Sequence, residues 1–256
     1  MPTDATQRPR LVFAHANGFP GLSYRSLLDP LAESFDLHPL DRLGHHPDYP
    51  VNHNWGNLVE ELLSYLPDTD APLLGVGHSL GGTLMENSTD EIERCLDINL
   101  KGVLFGAQAA HPHLKKTAPG SCLLNTASAA GIYGTPGASV YSATKFGVRA
   151  VTESLDGEWS ADGIKVASLM PSFIETPLLD HTPHAGANEG IRQRVTDAGL
   201  EITPVADVAA AAWAAVHGDR LHTTVGKTAK TMAFAARWFP GRVRKQTRSS
   251  IRPMGK

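Results

Sequence analysis

The stretch SCLLNTASAAGIYGTPGASVYSATK, residues 121–145, passes from an apolar run through a Gly- and Ser-rich turn into a helix-like segment. Its opening SCLLNTAS (121–128) has the near-continuous apolar character of a strand covered on both faces in a parallel sheet. Its closing YSATK places Tyr141 and Lys145 four residues apart, on one helix face, with Ser128 thirteen residues before the tyrosine. A lysine ammonium beside a phenol favours the phenolate, so the pair is expected to bring the tyrosine pKa down from about 10 toward the working range. A phenol tuned in that way can act as a general acid or base. Taken singly, a tyrosine on such a helix is a packed aromatic and its lysine a snorkelling neighbour. The ordered set is what points to chemistry.

Similar runs recur on either side. LVFAHA (11–16), DLHPLD (36–41), PLLGVGH (72–78), KVASLMPS (165–172) and LHTTVG (221–226) read as further strands, with helices expected at 23–34, 54–66, 90–114, 140–162 and 204–217. Thr203-Pro204 offers an N-cap followed by proline at the first helical position, and Gly218 a C-cap. This alternation predicts an α/β fold, a doubly wound, mostly parallel, Rossmann-like three-layer sandwich of about six strands with ligands at the C-terminal strand ends. No repeat or linker divides the chain, which reads as one domain over residues 1–256.

Four motifs follow in order: DINLKG (97–102), SCLLNTASAAGIYG (121–134), YSATK (141–145) and LMPSFIETPL (169–178). On them, residues 86–256 resemble the C-terminal part of a short-chain dehydrogenase/reductase. The resemblance implies an oxidoreductase moving a hydride between NAD or NADP and a carbonyl or alcohol carbon. It implies Tyr141 as the acid of reduction or base of oxidation, with Ser128 hydrogen-bonded to the substrate oxygen. Lys145 would also hold the nicotinamide ribose, and Asn99 would anchor a water that relays protons to Lys145. Thr176 and the backbone of Ile174 would contact the nicotinamide carboxamide. Ser172 stands where this family usually has glycine, which loosens the turn on the cofactor side. The family's glycine-rich phosphate turn and its N-A-G run are missing; HANGFPG (15–21) and GHSLGG (77–82) stand in their places.

GHSLGG has the G-x-S-x-G form of a nucleophile elbow, a strand-to-helix turn that small flanking residues allow to close. Together with LVFAHANGFPG (11–21), LDRLGHHPDYP (40–50) and Trp55, it makes residues 1–85 resemble the N-terminal part of an α/β-hydrolase. That resemblance implies Ser79 as nucleophile, with the N–H of Leu80 and one from His15–Asn17 as an oxyanion hole. No histidine and acid can be assigned to complete a triad; Asp180-His181 is the nearest pair, and adjacent residues do not make a base and its orienter. The chain then reads as chimera-like, with a seam at 85–87. The alternatives to the oxidoreductase are a serine esterase built on Ser79 and a non-catalytic hybrid. A nucleotide seat can be drawn from Gly18 and Gly21 as a G-x-x-G turn. Asp41, twenty residues beyond Gly21, has the spacing of a ribose 2′-hydroxyl acceptor, which favours NAD over NADP.

Composition narrows the classes. A formal net charge of −3 on 256 residues gives no reason to expect a nucleic acid partner. Cys95 and Cys122 do not suggest a disulfide framework, and no metal-ligand set is apparent. The longest apolar run, VAAAAWAAV (208–216), is too short to span a bilayer, and MPTDATQRPR shows no signal-peptide core. A soluble, cytoplasmic protein is expected. Residues 237–256 carry seven Lys or Arg and no acid. They read as a solvated or poorly ordered terminus, with surface contact to anionic lipid or a ligand phosphate as the alternative. Pairing through the helices at 90–114 and 140–162, as in the dehydrogenase family, would make a homo-oligomer.

Overall fold

The computed structural model describes residues 10–14, 36–40, 73–74, 87–180 and 190–249, together with positions 48, 64, 84 and 85. Strands β1 (Arg10–Ala14), β2 (Asp36–Leu40) and β3 (Leu73–Leu74) form a parallel sheet in the order β2-β1-β3, with Arg10 opposite both Asp36 and Leu73. Strands β4 (Cys122–Thr126), β5 (Lys165–Pro171) and β8 (His222–Val225) form a second parallel set, β4-β5-β8. β3 lies against β4, so the two sets adjoin. A short parallel pair, β6 (Phe173–Ile174) with β7 (Ile202–Thr203), stands beyond the end of β5. The architecture is the mostly parallel, three-layer Rossmann-like sandwich that the strand–helix alternation predicts.

The centre of the sheet explains the apolar runs. In β5, Val166, Ala167, Ser168, Leu169 and Met170 are all at most 3% exposed, so both faces of the strand are covered. The helices are α1 (Thr89–Leu96), α2 (Gly102–Lys116), α3 (Ser139–Glu158), α4 (Ile191–Asp197), α5 (Val205–His217), α6 (Lys227–Trp238) and α7 (Pro240–Ser249). Val166 packs with Ala107 and Leu114 of α2 and with Trp159, while Met170 packs with Val148 of α3 and with Ala127. Such side chains are each worth about 1.5–3 kcal/mol when fully buried. α5 packs on β5 and β8.

Several expectations are corrected. The helix expected at 90–114 is real but interrupted. α1 starts at a capping box, with Ser88 Oγ accepting from Glu91 N–H and the Glu91 carboxylate accepting from Ser88 N–H. It then runs through a π-turn, Asp97–Lys101, before α2. Thr203 belongs to β7 rather than capping α5; Pro204 is the N-cap residue and supplies no side-chain bond. Gly218 does close α5, its N–H donating to the Ala214 carbonyl. The basic tail is not simply a solvated terminus, since α7 is helical and buries Val243. The expected helices at 23–34 and 54–66, apart from helical Ser64, lie outside the described residues, as do Gly18, Gly21, Asp41 and Ser79. Among the described residues no helix is long and apolar enough to cross a membrane. Cys95 and Cys122 are free and buried.

Candidate active site

The site grows from the C-terminal end of β4. Ala127 N–H donates to the Leu169 carbonyl at 2.8 Å, which aligns the strand end with β5. Ser128 is extended and caps a 3₁₀ turn, Ala129–Gly131, its Oγ accepting from Ala130 N–H at 3.2 Å. A Cβ on residue 131 would lie 2.7 Å from the Lys145 carbonyl oxygen. The turn can press onto α3 only because that residue is glycine. The turn that follows Ser128 is thereby held against α3, the helix that carries Tyr141.

Lys145 lies one helical turn after Tyr141 and is 2% exposed. Its Nζ donates to the Thr126 carbonyl at 2.9 Å and sits 5.6 Å from the centroid of the Tyr141 ring. Burial lowers its pKa to about 8. The tyrosine departs from expectation. Although part of Tyr141 still reaches solvent, burial pushes its phenol up to about 12; the Ser128 bond opposes the rise and Cys95 adds to it. Desolvation, not the lysine charge, decides the direction, because the neutral phenol is the form that tolerates a dry site. At neutral pH Tyr141 is therefore a held proton rather than a phenolate.

Asn99 occupies the middle of the π-turn and is 3% exposed. Its Nδ2 donates to Cys95 Sγ at 3.3 Å. Burial raises the thiol's pKa, against the Asn99 bond, the Lys145 charge and a bond from Thr144. Cys95 thus joins Asn99 and Lys145. Sequence reading missed it, though its place four residues before Asn99 on one helix face was the available signal. Four of the expected residues, Asn99, Ser128, Tyr141 and Lys145, are brought together.

Ile174 and Thr176 form a separate pair on the segment after β5, where Thr176 Oγ1 donates to the Ile174 carbonyl at 3.4 Å. A long bond from Ser128 Oγ to the Pro171 carbonyl, 3.5 Å, links the two regions. Arg192 of α4 clamps the segment, giving Nη1 and Nη2 to Glu175 at 3.0 and 2.6 Å and Nε to Asp180 at 2.7 Å. Ser172, expected to loosen this turn, is tied by its N–H to the Val225 carbonyl at 3.3 Å.

The nicotinamide end of a dinucleotide fits these residues. Lys145 has three N–H donors and one hydrogen bond among the described residues. Thr126 Oγ1, beside it, is buried with no partner among them. Both are complementary to sugar hydroxyls. The phosphate seat expected at Gly18, Gly21 and Asp41 falls outside the described residues.

A hydroxyl–imidazole–carboxylate array does occur among the described residues, and it does not involve Ser79. Ser168 Oγ lies 2.8 Å from His222 Nδ1, and His222 Nε2 lies 2.9 Å from Glu153 Oε1. Ser168 is fully buried in β5, so no substrate can reach it. The array braces β5 and β8 against α3.

The family profile described as short chain dehydrogenase matches residues 46–186. An uncharacterised oxidoreductase from Staphylococcus epidermidis is 29% identical over 151 residues, 59% of this chain and 65% of that protein. A diacetyl reductase [(S)-acetoin forming] from Staphylococcus aureus is 36% identical over 100 residues, 39% of each chain. The chain thus spans less than two thirds of the length of these curated relatives. Among solved structures, a short chain dehydrogenase from Burkholderia cenocepacia in complex with NADP superposes with TM-score 0.70 at 16% identity, covering 94% of this chain and 99% of its own. A short chain dehydrogenase/reductase from Burkholderia phymatum in complex with NAD gives TM-score 0.69 at 20% identity, covering 97% and 99%.

These matches overturn the hybrid. The family profile crosses residues 85–87 without a break, and one fold accounts for nearly the whole chain, the supposed hydrolase third included. The physical reason is that the small residues of a G-x-S-x-G pattern suit any tight strand-to-helix turn, and a parallel α/β sheet contains several such turns. The pattern alone therefore carries no chemistry. The nucleophile elbow, and with it the role of Ser79, is withdrawn.

Proposed function

Because the chain belongs to the short chain dehydrogenase family, we propose that it is an oxidoreductase that transfers a hydride between NAD or NADP and a carbonyl or alcohol carbon. The observation that carries this is the convergence of Ser128, Tyr141 and Lys145 at the end of β4, with Lys145 anchored on Thr126 and lying against the tyrosine ring. NAD(P), when bound, supplies the hydride for reduction or accepts it in oxidation. In the reductive direction Ser128 Oγ donates a hydrogen bond to the carbonyl oxygen and Tyr141 Oη gives that oxygen its proton. Each carbonyl thereby gains one hydride on carbon and one proton on oxygen. The phenolate left behind is reprotonated from the Lys145 ammonium, which is replenished from solvent by way of Asn99. Lys145 Nζ and Thr126 Oγ1 would hold the ribose, with Ile174 and Thr176 at the carboxamide. With its phenol pushed up to about 12, Tyr141 carries at neutral pH the proton that carbonyl reduction consumes.

We read residues 1–256 as one domain of this kind, and the breadth of the structural likeness supports it. Pairing through α2 and α3 belongs to the same reading, supported by Leu104 and Phe146, apolar side chains left 42% and 41% exposed on those helices. The diacetyl reductase likeness makes a vicinal diketone the first substrate to try. Oxidation of NADH and NADPH is followed with diacetyl and a panel of simple ketones, for the wild type and for Tyr141→Phe. Loss of the proton donor is expected to lower turnover by about 10²-fold or more. A Tyr141→Phe variant that keeps wild-type turnover refutes the assignment.

A further inference from the structure

From Arg220 to the C-terminus the chain carries ten Lys or Arg and no Asp or Glu. Neither the hydride chemistry nor the core accounts for that run. Within it, α6 and α7 form a helical hairpin whose inner side is anchored by Ala229 and Val243, and α6 packs on β8 and on the 3₁₀ turn after Ser128. The outer side is unusual. All seven of its cations, Lys227, Lys230, Arg237, Arg242, Arg244, Lys245 and Arg248, are exposed.

Aromatic side chains stand among them. Lys230, Phe234 and Trp238 recur at intervals of four along α6, one stripe of the helix. Phe234 and Trp238 are 60% and 61% exposed, and Phe239 at the hairpin corner is 44% exposed. The Phe234 and Phe239 rings lie 6.0 Å apart. Arg237 sits 5.6 Å from the Trp238 ring and Arg242 5.1 Å from that of Phe239, so the aromatic cluster is flanked by guanidinium groups. The carboxylate of Glu201 is spent on the Lys227 N–H, at the opposite end of α6.

We propose that the α6–α7 hairpin seats the protein on an anionic lipid bilayer, with Phe234, Trp238 and Phe239 entering the headgroup boundary and the surrounding lysines and arginines meeting lipid phosphate and carboxylate. Exposed aromatics offer little to bulk water, and a helix pair with an apolar stripe inside an all-cationic border has the make-up of an interfacial anchor. Charge complementarity selects the occupant. A second copy of this surface would bring like charges together.

The test uses the purified full chain in co-sedimentation with phosphatidylcholine vesicles, with and without phosphatidylserine. Binding is expected only with phosphatidylserine, and is expected to weaken as salt shortens the screening length to about 3 Å at 1 M. Each removed cation lowers the partition coefficient about fivefold, so Arg237→Gln with Arg242→Gln lowers it about 25-fold. Phe234→Ser with Trp238→Ser and Phe239→Ser is expected to lower it too, with the thermal midpoint checked for each variant. Failure of the folded wild type to bind phosphatidylserine vesicles, or equal binding to phosphatidylcholine alone, overturns the proposal. So does a serine variant that changes only the molar mass in light scattering, which would make the face a contact between copies.

Discussion

Lys145→Met replaces a buried ammonium by an apolar side chain of similar length, and its consequence can be worked out from the structure. In the folded protein Lys145 titrates near 8, against 10.5 for a free lysine. Its folded pKa is thus depressed, so between those values the unfolded chain binds more protons than the folded one. Stability must then rise with pH through this window, the cost of burying the charge being complete below pH 8 and relieved above 10.5. From pH 8 to pH 10 the gain from this one group is about 2 kcal/mol. For a protein of this size that is about 4–8 °C in midpoint. Tyr141, with its folded pKa near 12, works in the opposite direction above pH 10, and Cys122, raised to about 11 by burial, opposes it from about pH 9. Subtraction removes what the two proteins share, and the Cys95 thiol, which the Lys145 charge holds down against its burial, belongs to the difference. Thermal midpoints of the wild type and of Lys145→Met are measured at pH 8, 9 and 10, and their difference is plotted against pH. The wild type should gain on the variant by those few degrees across the range. A flat difference would mean that Lys145 is not desolvated, and the description of the site as dry would fail with it.

Two further substitutions probe the supports of the site and the sheet. Gly131→Ala puts a methyl group 2.7 Å from the Lys145 carbonyl oxygen; overpacking of this sort costs about 1–3 kcal/mol. The Ser128 turn must back away from Tyr141, so turnover should fall while the protein remains folded, and unchanged steady-state kinetics would refute the contact. Thr152→Val keeps the shape of a fully buried side chain but leaves Asn125 Nδ2 without the acceptor it now has at 3.0 Å. Denaturant unfolding should show a loss of about 1–3 kcal/mol, and a variant as stable as the wild type would show that the Asn125–Thr152 bond contributes nothing.

The legible part of the fold came from repetition of a simple rule. Doubly covered parallel strands need unbroken apolar runs, so β4 and β5 were visible as runs, and the i, i+4 spacing of Tyr141 and Lys145 placed both on one helix. The pKa of Tyr141 was misjudged in direction because spacing reveals the neighbouring charge but not the loss of water around it. Cys95 escaped notice because a thiol is a weak acceptor and its role exists only through the Asn99 amide. α6 and α7 were hidden by their charge: with little more than Ala229 and Val243 buried, they lack the wide apolar stripe that marks a helix against a core. The hydrolase reading erred because a turn motif was given the weight of a catalytic one.

The π-turn at Asp97–Lys101 sets the register of everything that follows it. Such a turn holds one residue more than the same stretch of α-helix. Each added residue rotates the rest of the helix by about 100°. Ala107 and Leu114 therefore meet the core in the register that the turn imposes, with Asn99 buried at its middle. Deleting one residue there would smooth the helix and swing both of them out of the core. The site and the packing of α2 are thus coupled: neither can be re-registered without the other.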